Sequence, residues 1–169
     1  MAVLRTPRLL LREMTPDDLD DLAGLLGDAS VMRYYPRPKT RPETLDWIEL
    51  NQRRYRRDGH GLWIMHLRDG GAFAGDCGLT IQRVDGVDEI EVGYHVAPGL
   101  QRGGLATEAA IACRDHARDA LGVRRLIAII HPDNVASQRV AQKAGLTLEK
   151  RTRDYGSGAQ DVLVLSMRL

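Results

Sequence analysis

The stretch Gln101-Arg102-Gly103-Gly104-Leu105-Ala106-Thr107 limits what this chain can become more than any other. Upstream, Glu89-Ile90-Glu91-Val92-Gly93-Tyr94-His95-Val96 reads as a strand, and downstream Gly104 to Leu121 reads as a helix rich in small residues. Glycines between a strand and a helix let successive backbone N–H groups converge on one point. The helix start adds unpaired donors and a partial positive charge there. Such a junction is an anion site, and phosphate or pyrophosphate is its natural guest.

The other elements must fit around that junction. A chain of 169 residues suits a single domain, 1–169. Lys and Arg total 24 against 23 Asp and Glu, so a polyanion such as nucleic acid is not expected as a partner. Cys77 and Cys113 lie outside any ligand-spaced cluster, and no histidines fall at HxxxH or HExxH spacing, so no metal is expected. Without a signal-like start or an apolar run near about 20 residues, the expectation is a cytoplasmic protein with no membrane partner. The sequence allows a homodimer without specifying one.

Along the chain, Thr6–Met14 reads as the first strand, followed by a helix opened by Thr15-Pro16-Asp17-Asp18. Asp17, Asp18, Asp20 and Asp21 read as that helix's solvated face and cap. After the prolines 36, 38 and 42 comes a helix from about Pro42 to Asp58. Its Arg53, Arg54, Arg56 and Arg57 suit either an acidic substrate or, preferred, a solvated face. Strands are expected at Leu62–Leu67, Ala72–Ile81, Glu89–Val96, Arg125–Ile130, Leu146–Lys150 and Asp161–Met167, with a helix at Val135–Ala144. The Gly156-Ser157-Gly158 turn joins the last two strands. The pattern is one α/β (α+β) sheet, with meandering strands early and a β-α-β-α-β run late.

Three phosphate-binding patterns compete for the junction. Gly99 and Gly104 have the glycine spacing of a Walker loop, but Leu105-Ala106 stand where Lys and Ser or Thr are required. The G-x-G-x-x-G of a dinucleotide fold does not occur. Gln101, Gly104 and Ala106 match Q-x-x-G-x-A. With this pattern in strand–loop–helix context, the chain resembles the GNAT superfamily of acyl-CoA-dependent N-acetyltransferases. Three further stretches are similar to the branch that acetylates ribosomal-protein N-terminal alanines: Thr6-Pro7-Arg8-Leu9-Leu10-Leu11-Arg12, Glu91-Val92-Gly93-Tyr94, and Asn134-Val135-Ala136-Ser137 followed by Lys143-Ala144-Gly145.

The resemblance implies a mixed, mostly antiparallel sheet of about seven strands flanked by about four helices. Its fourth and fifth strands, here Glu89–Val96 and Arg125–Ile130, would be splayed. It implies acetyl-CoA as cosubstrate, with the pyrophosphate on Gln101, Arg102, Gly103, Gly104, Leu105, Ala106 and Thr107. The pantetheine arm would lie along Tyr94 and Val96, with Asn134 and Ser137 close by. Arg139 and Lys143 are weaker phosphate contacts. A backbone N–H near Tyr94–Val96 would polarise the thioester carbonyl.

Acetyl transfer needs an uncharged amine and a proton for the departing thiolate. Glu91 aligns with the acid used as base in some relatives; its plainer role is an ordinary polar strand residue. Alternation places Glu89, Glu91, Gly93 and His95 on one face and Ile90, Val92 and Tyr94 on the other, unless a bulge common in the family intervenes. Ser137 is the candidate proton donor to sulfur, with helix capping as its plainer role. Many relatives use a tyrosine at the position matching Ala141, which removes that mechanism here. The expected reaction is direct attack in a ternary complex on a primary amine, with a protein or peptide N-terminus favoured. Small amines (polyamine, amino acid, aminoglycoside) are the rival acceptors, and a non-catalytic acyl-CoA sensor is the rival class. Val31–Arg57 and Arg153–Gln160 would build the acceptor side, with Trp47, Trp63, Tyr34, Tyr35 and Tyr155 as possible walls.

Overall fold

The computed structural model describes residues 2–155 and 160–169. Its strands are β1 (Ala2–Arg5), β2 (Leu9–Arg12), β3 (Leu62–Leu67), β4 (Phe73–Val84), β5 (Val87–Val96), β6 (Arg125–Ile130), β7 (Thr147–Thr152) and β8 (Val162–Arg168). The helices are α1 (Leu19–Leu26), α2 (Arg41–Asp58), α3 (Leu105–Asp119) and α4 (Val135–Lys143). One sheet runs in the order β1-β2-β3-β4-β5-β6-β8-β7, antiparallel throughout except for β5 beside β6. This is the mixed α/β architecture expected, with eight strands in place of about seven.

The extra strand, β1, lies just before Thr6–Met14, the stretch that reads as the first strand. Pro7 has no N–H to give a ladder, and the Thr6 N–H instead closes a turn on the Leu9 carbonyl at 3.0 Å. Ala2–Arg5 thereby folds back against Leu9–Arg12. Asp18 does the cap chemistry expected of it, taking the Thr15 N–H at 2.7 Å, but it is buried rather than solvated, and its carboxylate also takes the Arg12 guanidinium, one contact at 2.8 Å. Burial pushes the Asp18 carboxyl up, and the bonds from Arg12 and Thr15 outweigh it and hold it below the usual range. Asp20, by contrast, is solvated as read.

The hairpin between β4 and β5 turns at Asp85-Gly86, both with positive φ (48° and 78°), as a two-residue turn requires. Its register runs unbroken from Gly75↔Val96 to Val84↔Val87, so the bulge that the family resemblance allowed does not interrupt this ladder. Side-chain parity along β5 is therefore preserved. On one face Trp63, Cys77, Leu79, Val92, Leu126 and Ala128 pack under Ala109, Ala110, Cys113 and Ala117 of α3. On the other, Leu62 and Ile64 meet Leu22, Leu25 and Leu26 of α1 and Ile48 of α2. The Gly156-Ser157-Gly158 turn lies outside the described residues.

Candidate functional site

The glycine loop begins where β5 ends. One turn of 3-10 helix, Pro98–Leu100, leads into the loop, in which Arg102 (φ 64°) and Gly104 (φ 81°) are both left-handed. Alternating handedness turns successive N–H groups into a concave nest. The first helical bond of α3 runs from the Glu108 N–H to the Gly104 carbonyl at 3.0 Å. Residues up to Thr107 therefore present N–H groups without intrahelical partners, and Gly104 has no side chain to cap them. Gln101, Arg102, Gly103 and Gly104 are exposed, and Leu105 is buried beneath them. Gln101 itself points back: its amide donates to the Val96 carbonyl at 3.0 Å.

A brace missed from sequence holds this loop. Glu108, in the first turn of α3, accepts from the Thr6 hydroxyl (2.5 Å), the Arg8 N–H (2.8 Å) and Arg8 Nε (2.6 Å). Arg8 Nη1 also donates to the Gly103 carbonyl at 2.8 Å. Burial raises the Glu108 carboxyl, and the bonds from Thr6 and Arg8 outweigh it and leave it lowered. Its charge, which would oppose an anion at a helix start, is thus compensated. The signal was present in the Thr6–Arg12 motif, but only the fold shows what Thr6 and Arg8 grip.

Next to the loop the sheet opens. β5 and β6 share a single register pair, Glu91↔Ile127. The Ala97 N–H bonds the Ala74 carbonyl at 3.0 Å, so by antiparallel alternation Ala97, His95 and Gly93 address β4. Tyr94 and Val96 then turn their backbone groups toward the open side. Across the gap, Asn134 caps α4 by accepting the Ser137 N–H at 3.1 Å. Ser137 meets the Tyr94 hydroxyl, which lies 2.9 Å from the Ser137 carbonyl oxygen and 3.0 Å from Oγ. One phenol proton serves one of these; with it on the carbonyl, the serine hydroxyl is free to donate. Burial raises the Tyr94 phenol, with the Ser137 bond opposing it, which keeps it a donor. Ala141, at the position matching the family's tyrosine, is fully buried core. Arg139 is exposed on α4, and Lys143 sits at the C-terminal end of that helix.

The opposite face of β5 carries different chemistry. Glu91 accepts from the Thr80 hydroxyl at 3.2 Å. Burial pushes its carboxyl up to about 7, against contacts from Thr80, Ile129, Gln82 and the charge of Arg54. Although its carboxyl is desolvated, Glu91 retains some solvent exposure. Two residues on, His95 Nδ1 lies 2.7 Å from Asp76 Oδ1, and Nε2 lies 2.8 Å from the Tyr35 hydroxyl. From the sequence, His95 is placed only by its face and Tyr35 only as a wall, and Asp76 carries no signal. Their partnership rests on the β4–β5 register and on a loop distant in sequence.

That loop crosses the opening. Tyr35 is held to β5 through His95, while Tyr34 donates to the Asp133 carbonyl at 3.1 Å, beyond the end of β6. Two adjacent tyrosines thus tie one loop to both arms of the splay. Trp63 is core, edge-on to His116. Tyr155 packs with Val84 and Ile127. Among the arginines of α2, Arg53 and Arg57 pair with Glu49 and Asp58, and Arg56 is exposed. Arg54 turns inward over Trp47, 5.8 Å from its ring. Cys77 and Cys113 are buried, their sulfurs 3.5 Å apart. Among the described residues, no cluster of three or more His, Cys, Asp or Glu is placed to hold a metal, and no helix is long and apolar enough to cross a membrane.

A mixed sheet opened between two parallel strands, with an uncapped helix start at the mouth of the gap, defines the class as an acetyltransferase fold. The chain belongs to the GNAT acetyltransferase family: residues 8–147 match the acetyltransferase (GNAT) domain. It is 37% identical over 153 residues to YkkB, an uncharacterized protein of Bacillus subtilis (strain 168), covering 90% of this chain and 89% of that one. An acetyltransferase from Agrobacterium tumefaciens str. C58 superposes with a TM-score of 0.82 at 26% identity, covering 98% and 94% of the two chains. RimL, a ribosomal L7/L12 alpha-N-protein acetyltransferase solved in complex with coenzyme A, superposes with a TM-score of 0.76 at 18% identity, covering 100% and 98%.

Proposed function

We propose that this protein transfers the acetyl group of acetyl-CoA to a primary amine, with a peptide N-terminus as the favoured acceptor. The observation that carries the reading is the junction of two features: the N–H nest at Arg102–Thr107 and, beginning beside it, the β5 edge at Tyr94 and Val96 that is turned away from β4, with the Val96 carbonyl held by the Gln101 amide. The nest suits a pyrophosphate. The edge suits an extended arm that bonds it as a strand would. Likeness to a structure that binds coenzyme A supports the same donor.

In this reading the acetyl thioester lies near Tyr94–Val96, where a backbone N–H polarises its carbonyl. The amine arrives from the face carrying Glu91. A carboxyl poised near about 7 accepts a proton at neutral pH, directly or through water. A peptide α-amine, with a pKa of about 7.7–8.0, already supplies some neutral nitrogen, whereas a lysine near about 10.4 does not. Ser137, positioned by its Asn134 cap and by Tyr94, stands where the departing sulfur needs a proton. Burial raises the Cys77 thiol, and both cysteines are sealed in the core, which supports direct attack without an acyl-enzyme.

The test is free-thiol release from acetyl-CoA with Ala- and Ser-starting peptides, spermidine, free amino acids and an aminoglycoside. Turnover highest on peptides supports the reading. Turnover confined to a small amine moves the acceptor to that class, and acetyl-CoA binding without turnover of any amine makes the protein a sensor.

A further inference from the structure

Gly93 lies between Glu91 and His95 on the acceptor face of β5. A Cβ added there would meet only Leu62 Cδ2, at 3.6 Å. The floor between the two ionisable side chains is therefore bare. On its far side the Asp76–His95–Tyr35 chain runs from a sealed carboxylate to a partly exposed tyrosine whose phenol burial pushes up. Asp76 is wholly buried, the His95 side chain is 10% exposed, and Tyr35 is 48% exposed. Asp76 Oδ2 has no hydrogen-bond partner among the described residues. Burying a half-satisfied carboxylate to hold one imidazole is a poor way to gain stability, since an apolar pair of the same volume does as well or better. It is a good way to fix a histidine tautomer. With the Asp76 carboxylate accepting from Nδ1–H, Nε2 keeps a lone pair aimed at the Tyr35 hydroxyl.

We propose that Asp76, His95 and Tyr35 form a proton relay that collects the proton released by the acceptor amine, with Tyr35 as the group that touches the substrate. The proposal rests on the acetyl-transfer reading above. The amine nitrogen attacks the thioester carbonyl carbon with its lone pair, forming the C–N bond; the C–S bond breaks with its electron pair on sulfur. Glu91 first takes the extra proton of an arriving ammonium and passes it to water; the surplus proton left on nitrogen after attack then passes to the Tyr35 oxygen as the Tyr35 proton passes to His95 Nε2. His95 then carries both ring protons and is stabilised by Asp76, the positioning residue. One proton returns from His95 through Tyr35 to water, and one is supplied to the departing sulfur from the Ser137 side. Amide and free thiol remain, with no net proton consumed.

The relay accepts only while His95 is neutral. The groups facing the ring are Asp76 on β4, Glu91 on β5, and Tyr35 and Lys39 from the loop. Burial lowers the His95 pKa, the charge and hydrogen bond of Asp76 outweigh it, and Glu91 adds to the rise while Lys39 opposes it; the balance is raised. Activity through the relay therefore falls as pH drops through that value.

The experiment measures kcat and its pH profile for wild type, Tyr35→Phe, His95→Gln and Asp76→Asn, together with the ring-nitrogen NMR titration of His95 in the free protein. Tyr35→Phe and His95→Gln are each expected to lower kcat about 10²-fold, with acetyl-CoA affinity kept within about twofold. Asp76→Asn should move the acidic limb to lower pH and lower the His95 titration point in the free protein. If the wild type turns over an amine and both variants stay within about threefold of it, the relay falls while acetyl transfer stands. If no amine is turned over, the transfer reading falls and takes the relay with it. A His95 ring whose titration is indifferent to Asp76→Asn removes the pair whatever the turnover.

Discussion

The two faces of β5 are built by opposite means. In the proposed reading, recognition on the donor side is carried by backbone: N–H groups of Arg102–Thr107 and the β5 edge at Tyr94 and Val96 that is turned away from β4. Side chains there mostly brace, as Arg8, Glu108 and Gln101 do. On the acceptor side, the proposed chemistry rests on side chains, which come from β4, β5 and the loop at Tyr34–Tyr35. A backbone site needs a local conformation, which a short motif can specify. A side-chain site needs a register and a tertiary contact, which no short motif records.

If this contrast is right, acceptor-side truncations lose turnover and donor-side truncations lose little unless they alter backbone conformation. The largest effect is expected from Glu91→Gln, about a 10²-fold loss of kcat/KM at pH 7 with acetyl-CoA affinity unchanged by calorimetry. The same variant sharpens the point through stability. A carboxyl raised from its ordinary 4.5 to about 7 binds protons more readily folded than unfolded, so its contribution to stability falls as pH rises across that window. Removing it should stabilise the fold by about 1–3 kcal/mol above pH 7 and by little at pH 4, seen in thermal melts.

Gly104→Val comes next. A Cβ there meets only the Arg8 guanidinium at an ordinary 3.5 Å, so the damage comes from the left-handed φ of 81°. Acetyl-CoA should bind about 10- to 30-fold more weakly, with kcat at saturation kept. Gly93→Ala probes the bare floor, and about a tenfold rise in acceptor KM is expected, with donor affinity unchanged, in steady-state kinetics. Ser137→Ala should lower kcat about tenfold while acetyl-CoA affinity moves less; unchanged turnover would leave Ser137 as part of the cap alone. The smallest effect is Thr107→Ala, within about twofold of wild-type affinity, because its contribution is an N–H that alanine keeps.

The same contrast explains what was legible in the sequence. The strand–loop–helix junction could be read because glycine and small residues are required locally, and Leu62–Leu67 and Arg125–Ile130 because their apolar runs match buried strands. β1 was lost because Thr6-Pro7 reads as part of a strand until the Leu9 contact shows it to be a turn. Asp18 read as part of a solvated face and cap; the cap bond to Thr15 holds, but only the fold buries it and brings Arg12 to it. Ser137 was visible in its motif, but Tyr94, expected to act through backbone alone, brings its hydroxyl across the gap. Asp76 carried no signal at all, since a lone acid in Gly75-Asp76-Cys77 acquires meaning only opposite His95.

The most direct measurement titrates acetyl-CoA calorimetrically into Gly104→Val and His95→Gln side by side, with turnover recorded for both. The expected result is weaker binding in Gly104→Val alone and lost turnover at saturation in His95→Gln alone. Equal weakening of binding in both variants, or full turnover in His95→Gln, would contradict the division of labour across β5.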